Sequence, residues 1–233
     1  MEKLTEREQT SYSWELPETN IQQEFVLNEK PAYEILKRIF DIIASAVTLA
    51  VFSLGLLVIL TALYLQDHGY PLFVQERIGR DGKTFKLYKL RTMCVGAENM
   101  RPQPPDHEDV TALSKIQNDP RVTKLGAFLR KFSIDELPQL INVLKGEMSI
   151  VGPRPLIPSE HHAVDEYLRS EWGISRSVIK PGLSSFAVLE QRSRDNYGRW
   201  SDLEIQYIME RSILTDIKII FKTLYMIIYR GNK

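Results

Sequence analysis

The chain has 233 residues, of which 30 are Lys or Arg and 30 are Asp or Glu, so its formal net charge is zero. This length is enough for one sizeable hydrophobic core. The balanced charge excludes a general attraction to polyanions, and we therefore expect no nucleic-acid partner. The single cysteine, Cys94, excludes an internal disulfide, which is typical of a reducing compartment.

Residues 1–30 are polar and rich in glutamate, with only scattered apolar side chains. A segment of this composition buries too little apolar surface to offset the entropy lost on ordering. The pattern predicts a poorly ordered N-terminal arm.

An uncharged apolar run follows at residues 42–65. It is long enough to cross a hydrocarbon core of about 30 Å, and it starts too deep in the chain for a signal peptide. A buried helix of this length in a globular protein normally has a polar face. We therefore predict a membrane helix over residues 31–66 and a globular domain over residues 67–233. Lys37 and Arg38 precede the run and basic residues follow it, which is a weak orientation signal.

Two strands are predicted after the apolar run, at residues 71–79 and 84–93. Asp81 and Gly82 lie between them, and the Asp-Gly pair favours a tight turn. The second strand alternates, because Phe85 and Leu87 face away from Lys86 and Tyr88.

Two carboxylates, Asp135 and Glu136, stand side by side before a predicted helix. On those residues alone a helix cap is favoured over catalysis, because Asp caps backbone N–H groups and Pro138 fits a first turn. Gly146 is a typical helix end. The predicted apolar face of this helix consists of Leu137, Leu140, Ile141 and Leu144.

Arg154 lies between Pro153 and Pro155, which fix the backbone on either side of it. A guanidinium on such a stiff loop is well placed to hold a phosphate with two hydrogen bonds. A surface arginine in a rigid connector explains the same pattern, and both interpretations stay open.

The last segment, residues 214–230, is strongly apolar with sparse lysines. It is short for a membrane span, so we predict an amphipathic helix in the membrane interface or on the domain. The fold class predicted for the whole chain is α/β, mainly helical, with one small β-hairpin.

Several motifs occur in order, and together they resemble the bacterial sugar transferase family of monotopic polyprenyl-phosphate phosphoglycosyltransferases. The resemblance covers roughly residues 34–230. Its motifs are Lys-Arg-Ile-Phe-Asp at 37–41, Gln-Glu-Arg-Ile-Gly at 75–79, Lys-Leu-Arg-Thr-Met at 89–93, Asn-Asp-Pro-Arg-Val-Thr-Lys-Leu-Gly at 118–126, Ser-Ile-Asp-Glu-Leu-Pro-Gln-Leu at 133–140, Met-Ser-Ile-Val-Gly-Pro-Arg-Pro at 148–155 and Lys-Pro-Gly at 180–182.

The resemblance implies a reaction in two steps. An aspartate attacks the β-phosphate of a nucleotide diphosphate sugar, usually a UDP-sugar, and polyprenyl phosphate then takes the sugar-phosphate from the aspartyl intermediate. By motif position Asp135 is the nucleophile, and Glu136 acts with it and with Mg²⁺, which both would hold. The implied place is the cytoplasmic face of a bacterial inner membrane, where the product begins exopolysaccharide, capsule, O-antigen or glycoprotein glycan assembly. Downstream glycosyltransferases are implied partners.

Further site residues follow from the same resemblance. Arg154 would clamp phosphate, and Lys89 and Arg91 would face phosphate or lipid headgroups. Arg192 aligns with a family arginine that follows the Pro-Gly turn. Asp216 matches a recurrent acidic position whose role stays open.

The sequence departs from the family pattern at two places. Ser53-Leu54-Gly55 stands where the family usually has a Ser-Pro that makes the membrane helix re-enter its own face. A straight span therefore becomes more plausible, although re-entry stays favoured because Lys37 and Arg38 would otherwise lie across the membrane.

The other departure follows Gly182, where residues 183–192 read Leu-Ser-Ser-Phe-Ala-Val-Leu-Glu-Gln-Arg instead of Ile-Thr-Gly-Trp-Ala-Gln-Val-Asn-Gly-Arg. Glu190 is either a sugar contact or a solvated loop residue, and the donor sugar is not predicted. A catalytically silent membrane scaffold is the alternative function.

Overall fold

The computed structural model describes residues 30–97, 99–100, 119–172, 175–190 and 197–229. The predicted arm, apart from Lys30, and Arg192 lie outside these ranges. The described chain is mainly helical with two small sheets, which confirms the mainly helical fold class and adds a second sheet.

The first helix, α1 (Pro31–Asp67), is a single helix of 37 residues that is long and apolar enough to cross a membrane. It continues through Ser53-Leu54-Gly55, so the break that re-entry would need is absent. The physical reason is that no proline interrupts the hydrogen-bond ladder here, and the Ser53 hydroxyl donates back to the Ala50 carbonyl at 2.7 Å. Most apolar side chains along α1 are exposed, including Val51 and Leu54, which are 70% and 72% exposed.

The N-terminal turns of α1 nevertheless contact the rest of the protein. Lys37 Nζ lies 2.7 Å from Asp216 Oδ2, and the Arg38 guanidinium donates to the carbonyls of Val143 and Leu144 at 2.6 and 2.8 Å. Both carbonyls lie at the C-terminal end of a helix described below. The Val143 carbonyl also accepts from the Gly146 N–H at 2.9 Å, so Arg38 adds a second donor there and caps the Leu144 carbonyl.

The C-terminal end of α1 is attached to the same body. Leu63 is buried against Leu90 and Leu129, and Asp67 forms an ion pair with Arg91. Both ends of α1 therefore contact the globular part of the chain, while the face between them stays exposed.

The predicted hairpin is confirmed as strands β1 (Leu72–Ile78) and β2 (Thr84–Leu90), which pair antiparallel with Gln75 opposite Leu87. Asp81 and Gly82 both have positive φ, of 58° and 72°, in the turn between them. These two residue types adopt such a conformation at low cost, which explains why the pair lies there.

The segment around the paired carboxylates corrects one prediction. Helix α2 (Lys124–Lys131) is followed by a 3-10 turn (Ile134–Glu136), and only then by helix α3 (Gln139–Lys145). Asp135 therefore lies in its own turn and does not cap α3.

The predicted apolar face of α3 is also partly wrong. Ile141 is 41% exposed, whereas the polar residues Gln139 and Asn142 are buried. The Asn142 amide explains this, because it accepts from the Tyr88 N–H at 3.1 Å and donates to the Lys86 carbonyl at 2.7 Å. Asn142 thus fixes α3 against β2, and hydrogen bonding overrides the apolar pattern.

The remaining elements enclose the largest apolar cluster, which includes Leu156, Val164, Leu168, Trp200 and Ile208. These elements are β3 (Ser149–Val151), α4 (Pro158–Trp172), a 3-10 turn (Arg176–Val178), β4 (Gly182–Ser184), α5 (Phe186–Leu189), α6 (Tyr197–Glu210) and α7 (Ile213–Tyr229). Strands β3 and β4 form a short parallel pair, which the sequence did not predict.

Helix α7 corresponds to the predicted C-terminal apolar segment. It buries Asp216 and Ile219, and it leaves an apolar face open on which Leu214, Phe221 and Ile228 are each 69–70% exposed. Two helices, α1 and α7, thus present large unburied apolar surfaces, which is typical of a membrane-associated protein.

Candidate active site

One cleft collects three of the site residues that the motifs single out. It lies between β2, the 3-10 turn that carries the two carboxylates, the proline-flanked loop and β4. Its lining residues are Arg77, Leu87, Lys89, Glu136, Gln139, Arg154, Pro155, Gly182, Leu183 and Val188. Lys89, Glu136 and Arg154 were predicted from sequence, and the structure brings them together from segments that are far apart in the chain.

Asp135 lies next to Glu136 and is largely buried, with 9% of its surface exposed. Burial raises the pKa of the Asp135 carboxyl, and the neighbouring charge of Glu136 raises it further. Lys89 and Arg130 act in the opposite direction, because their positive charges favour the carboxylate. The result is a poorly solvated carboxylate with increased basicity, which is a suitable state for a nucleophile.

Glu136 is paired with Lys89, whose Nζ lies 2.9 Å from Glu136 Oε1. Both side chains stay partly open to the cleft, at 23% and 32% exposure. The ion pair directs Lys89 toward the carboxylates.

Two guanidinium groups lie on the other wall. Arg77 donates to the Pro155 carbonyl at 3.1 Å, and its pKa is lowered to about 10 by burial and by the positive charge of Arg154. The buried Nε of Arg77 has no hydrogen-bond partner among the described residues. Glu160, whose Oε2 lies 3.7 Å from Arg77 Nη1, opposes this lowering of the pKa only in part. Two neighbouring guanidinium groups, one with an unused donor, are typical of a site completed by an anion. Arg77 was not predicted, although it lies within the motif at residues 75–79.

The backbone of Arg154 is fixed by a buried carboxylate. The Arg154 N–H donates to Glu204 Oε1 at 2.9 Å, and Arg176 donates to the Arg154 carbonyl at 2.8 Å. Arg176 also holds both oxygens of Glu204, with N–O distances of 2.6–3.0 Å. Burial raises the pKa of Glu204, and the charge of Arg176 opposes this rise.

The ion pair that braces the Arg154 backbone was not predicted from the sequence, because no local signal identifies it. Arg176 and Glu204 are 28 positions apart in the chain, and neither belongs to a motif that the sequence reveals. Only the packing of α6 under the proline-flanked loop joins them. The pair therefore extends the site beyond the residues that touch the cleft.

The other predicted site residues lie elsewhere. Arg91 is not among the cleft-lining residues, and instead bonds Asp67 and the Leu63 carbonyl at the end of α1. Glu190 is an exposed residue that follows α5. Arg192 is outside the described residues.

Asp216 lies on α7 and is buried among hydrogen-bond donors from two other helices. It accepts from Lys37, from the Tyr33 hydroxyl at 3.0 Å and from the Tyr207 hydroxyl at 2.8 Å. Burial and the charge of Asp216 raise the pKa of Tyr207, so this phenol stays protonated and donates. Asp216, whose role the sequence left open, therefore joins α1, α6 and α7 through these hydrogen bonds.

A metal would have few protein ligands here. Within the described ranges, no group of three or more His, Cys, Asp or Glu residues is arranged to hold one. Asp135 and Glu136 nevertheless supply two hard oxygen donors beside a basic cleft. This donor set fits Mg²⁺, which usually takes one or two carboxylates and completes its shell with water and substrate phosphates.

Comparison with known proteins identifies the family of the chain. Residues 32–230 match the family described as "Bacterial sugar transferase". The exopolysaccharide production protein ExoY of Rhizobium meliloti (strain 1021) is 39% identical over 204 residues, which are 84% of this chain and 86% of that protein.

Two further relatives are much longer than this chain. The undecaprenyl-phosphate galactose phosphotransferase of Salmonella typhimurium is 34% identical over 87% of this chain and 42% of its own length. The UDP-glucose:undecaprenyl-phosphate glucose-1-phosphate transferase of Escherichia coli (strain K12) is 38% identical over 82% of this chain and 40% of its own length. The chain thus spans most of one relative and about two fifths of the others.

Proposed function

Because the chain belongs to the bacterial sugar transferase family, we propose that it moves a sugar-1-phosphate from a nucleotide diphosphate sugar to polyprenyl phosphate. It is an enzyme that transfers substituted phosphate groups. The observation that carries the proposal is a single cleft in which Glu136, beside Asp135, faces Lys89, Arg77 and Arg154.

The names of the relatives guide the choice of substrates. One relative is named for UDP-glucose and undecaprenyl phosphate, and another for undecaprenyl phosphate and galactose. We expect a UDP-sugar as donor and undecaprenyl phosphate as acceptor, with a product used in exopolysaccharide or related glycan synthesis.

In the first step, a carboxylate oxygen of Asp135 attacks the β-phosphorus of the donor. A new P–O bond forms, the bond from that phosphorus to the bridging oxygen breaks, and the nucleoside monophosphate leaves with the electron pair. In the second step an oxygen of the lipid phosphate attacks the same phosphorus and releases the Asp135 carboxylate. Neither attack requires removal of a proton, because both nucleophiles are anions.

The basic side chains counter the repulsion between anion and anion. Arg77 and Arg154 would hold the diphosphate from one wall, and Lys89 would lie beside the attacking carboxylate. Mg²⁺ bound by Asp135 and Glu136 would neutralise phosphoryl oxygens of the donor.

The membrane placement follows from the two exposed apolar helices. We propose that α1 and α7 lie in the cytoplasmic leaflet of the inner membrane, with the cleft facing the cytoplasm, where nucleotide sugars are present. Contacts from both ends of α1 to one globular body support an arrangement in which both ends stay on the same side.

The direct test is release of UMP. Purified protein would be incubated with Mg²⁺ and a panel of UDP-sugars, with and without undecaprenyl phosphate. Asp135→Asn should abolish release, and the control Asp81→Asn, which alters an exposed carboxylate in the hairpin turn, should leave it unchanged. Release by Asp135→Asn at the wild-type rate would contradict the nucleophile. Folded protein that releases nothing from any donor would favour a catalytically silent scaffold.

A further inference from the structure

A second cavity lies between the first turns of α1 and the body of the protein. It has a volume of about 340 Å³ and shares no lining residue with the candidate active-site cleft. Five basic side chains line it, whereas its acidic lining residues are only Glu34 and Asp41. These basic residues are Lys37, Arg38, Arg80, Lys180 and Arg211.

Internal ion pairs involve three of these cations. Lys37 lies 2.7 Å from Asp216, and the Arg211 Nε lies 3.5 Å from Glu34 Oε1, and these two pairs hold α1 on the body. Arg80 lies 3.8 Å from the exposed carboxylate of Asp81, which does not line the cavity. Within the cavity, Arg38, Arg80 and Lys180 therefore face the single carboxylate of Asp41. The cavity therefore carries an excess of positive charge.

Lys180 shows that this excess is not compensated within the described chain. Its ammonium group makes no hydrogen bond or ion pair there. Burial lowers the Lys180 pKa, and the charges of Arg38 and Arg80 lower it further, more than Asp41 and Glu34 raise it. A bound anion would remove this repulsion and would give the ammonium group a partner.

A further unused donor lines the same cavity. Ser149 is 1% exposed, and its hydroxyl has no hydrogen-bond partner among the described residues. A buried hydroxyl without a partner is costly, and a ligand with acceptor oxygens would satisfy it.

The mouth of the cavity is apolar. Ile35 and Ile39 line it and are 62% and 50% exposed, and the exposed apolar face of α1 continues beyond them. A cationic interior with an apolar rim matches an amphiphile that has an anionic head and a hydrocarbon tail.

We propose that this cavity is a second anion site, which binds the phosphate of a membrane lipid. Lys180, Arg80 and Arg38 would surround the phosphate, and the hydrocarbon chain would follow Ile35 and Ile39 along α1. The inference rests on the proposed placement of α1 in the membrane. A phospholipid headgroup and the polyprenyl phosphate carrier offer the same chemistry, and the experiment separates them.

The test is lipid binding by native mass spectrometry of purified protein in neutral detergent. The probes are phosphatidylglycerol, undecaprenyl phosphate and, as a lipid without phosphate, diacylglycerol. The variants are Arg80→Gln and the double variant Arg80→Gln/Lys180→Gln. Lys83→Gln is the matched control, because this exposed lysine lies three residues from Arg80 and does not line the cavity.

We expect the double variant to bind lipid phosphate at least about tenfold more weakly than wild type, because it lacks two charge-assisted hydrogen bonds. Arg80→Gln should weaken binding less, and Lys83→Gln should bind normally. Arg80 is half exposed, so the single variant removes a charge without disturbing packing.

The two lipid sources give different results, and either supports the site. Loss of phosphatidylglycerol binding in the variants would identify a headgroup site. Loss confined to undecaprenyl phosphate, measured in an Arg154→Gln background to weaken cleft binding, would identify a carrier site. Wild-type affinity for both lipids in the double variant would overturn the proposal.

A separate readout keeps this proposal independent of the proposed function. UMP release without any lipid acceptor should be unchanged in Arg80→Gln/Lys180→Gln, because neither residue lines the active-site cleft. Loss of that release together with loss of lipid binding would assign these residues to folding or catalysis and would also overturn the proposal.

Discussion

At the scale of single residues, Asp135 combines two properties that oppose each other. Its burial makes the carboxylate more basic and less solvated, which favours attack on phosphorus, and the same burial disfavours the charged form. Lys89 and Arg130 reduce this cost without removing it. The carboxylate that we propose as the nucleophile therefore lowers the stability of the protein at neutral pH.

We expect Asp135→Asn to lower the rate of UMP release by at least ~10³-fold, because a side-chain amide is not a nucleophile. It should also raise the stability of the protein at pH 7. A carboxyl whose pKa is raised in the folded state contributes its full stabilisation of the fold at pH values below its ordinary pKa of 3.8. This contribution is lost as the pH rises through the raised pKa.

The difference in Tm between Asp135→Asn and wild type should therefore shrink as the pH falls through the raised pKa. Thermal unfolding between pH 7 and pH 4 measures it. The rate of UMP release in wild type should fall over the same acid range, because the nucleophile becomes protonated. A variant less stable than wild type at pH 7 would contradict this account of the site.

Glu204 and Arg176 are positioning residues for Arg154. Glu204→Gln keeps an acceptor for the Arg154 N–H but leaves Arg176 buried without a countercharge, which should cost about 3–5 kcal/mol of stability. The double variant Arg176→Met/Glu204→Leu removes both charges, and most of the stability should return. It should still raise the KM for the donor, by about tenfold or more, since the loop loses its bracing.

Denaturant unfolding and donor saturation curves measure these two effects separately. The decisive comparison is between the unstable single variant, with a near-normal KM at low temperature, and the stable double variant, with a raised KM. A double variant that is as stable as wild type and has an unchanged KM would show that the pair is only structural.

At the scale of secondary-structure elements, β2 and the turn that precedes α3 together form the wall of the cleft that carries the Lys89–Glu136 ion pair. Lys89 lies on β2, and the turn with the carboxylates leads directly into α3. Asn142 fixes one against the other through the Tyr88 N–H and the Lys86 carbonyl. The 2.9 Å ion pair between Lys89 and Glu136 depends on this alignment.

Asn142→Leu has a similar volume but leaves the bonding partners of the amide without hydrogen bonds. We expect a loss of about 2–4 kcal/mol, because each unsatisfied buried group costs about 1–3 kcal/mol. Ile141→Ala, at the exposed neighbouring position, is the control and should change stability by less than about 1 kcal/mol. Chemical denaturation of both variants measures the difference, and equal losses would contradict the role of the amide.

The same elements show what the sequence could and could not predict. Helix α1 and the β1–β2 hairpin follow from local signals, namely an uncharged run and an Asp-Gly turn. The pairing of β3 with β4, the buried face of α3 and the contact of Arg176 with Glu204 depend on segments that meet only in the folded chain. Lys89, Glu136 and Arg154 came from motifs, whereas Arg77 and Glu204 required the structure.

At the scale of the whole molecule, α1 is attached to the body at both ends. Lys37 and Arg38 hold its start, and Asp67 and Leu63 hold its end. Since one globular body cannot lie on both sides of a bilayer, we expect both ends of α1 to face the cytoplasm.

Single-cysteine labelling in intact cells tests this arrangement. In a Cys94→Ser background, Ala32→Cys and Tyr70→Cys should both be protected from an impermeant maleimide until the inner membrane is made permeable. Val51→Cys, in the exposed apolar stretch, should stay unlabelled in either case. Labelling of Ala32→Cys from the periplasmic side would show that α1 spans the membrane.

The bracing of Arg154 by Glu204 also affects how this enzyme can be redesigned. A chimaera that receives the loop at residues 152–157 from a relative would keep the α6 of its host and the host's 3-10 turn at residues 176–178, and with them the host's carboxylate and arginine. The backbone of the transplanted arginine would then be hydrogen-bonded by side chains of the host, which did not evolve with that loop. Exchanges intended to alter the donor sugar should therefore transfer the loop, the turn with Arg176 and α6 together from the same relative.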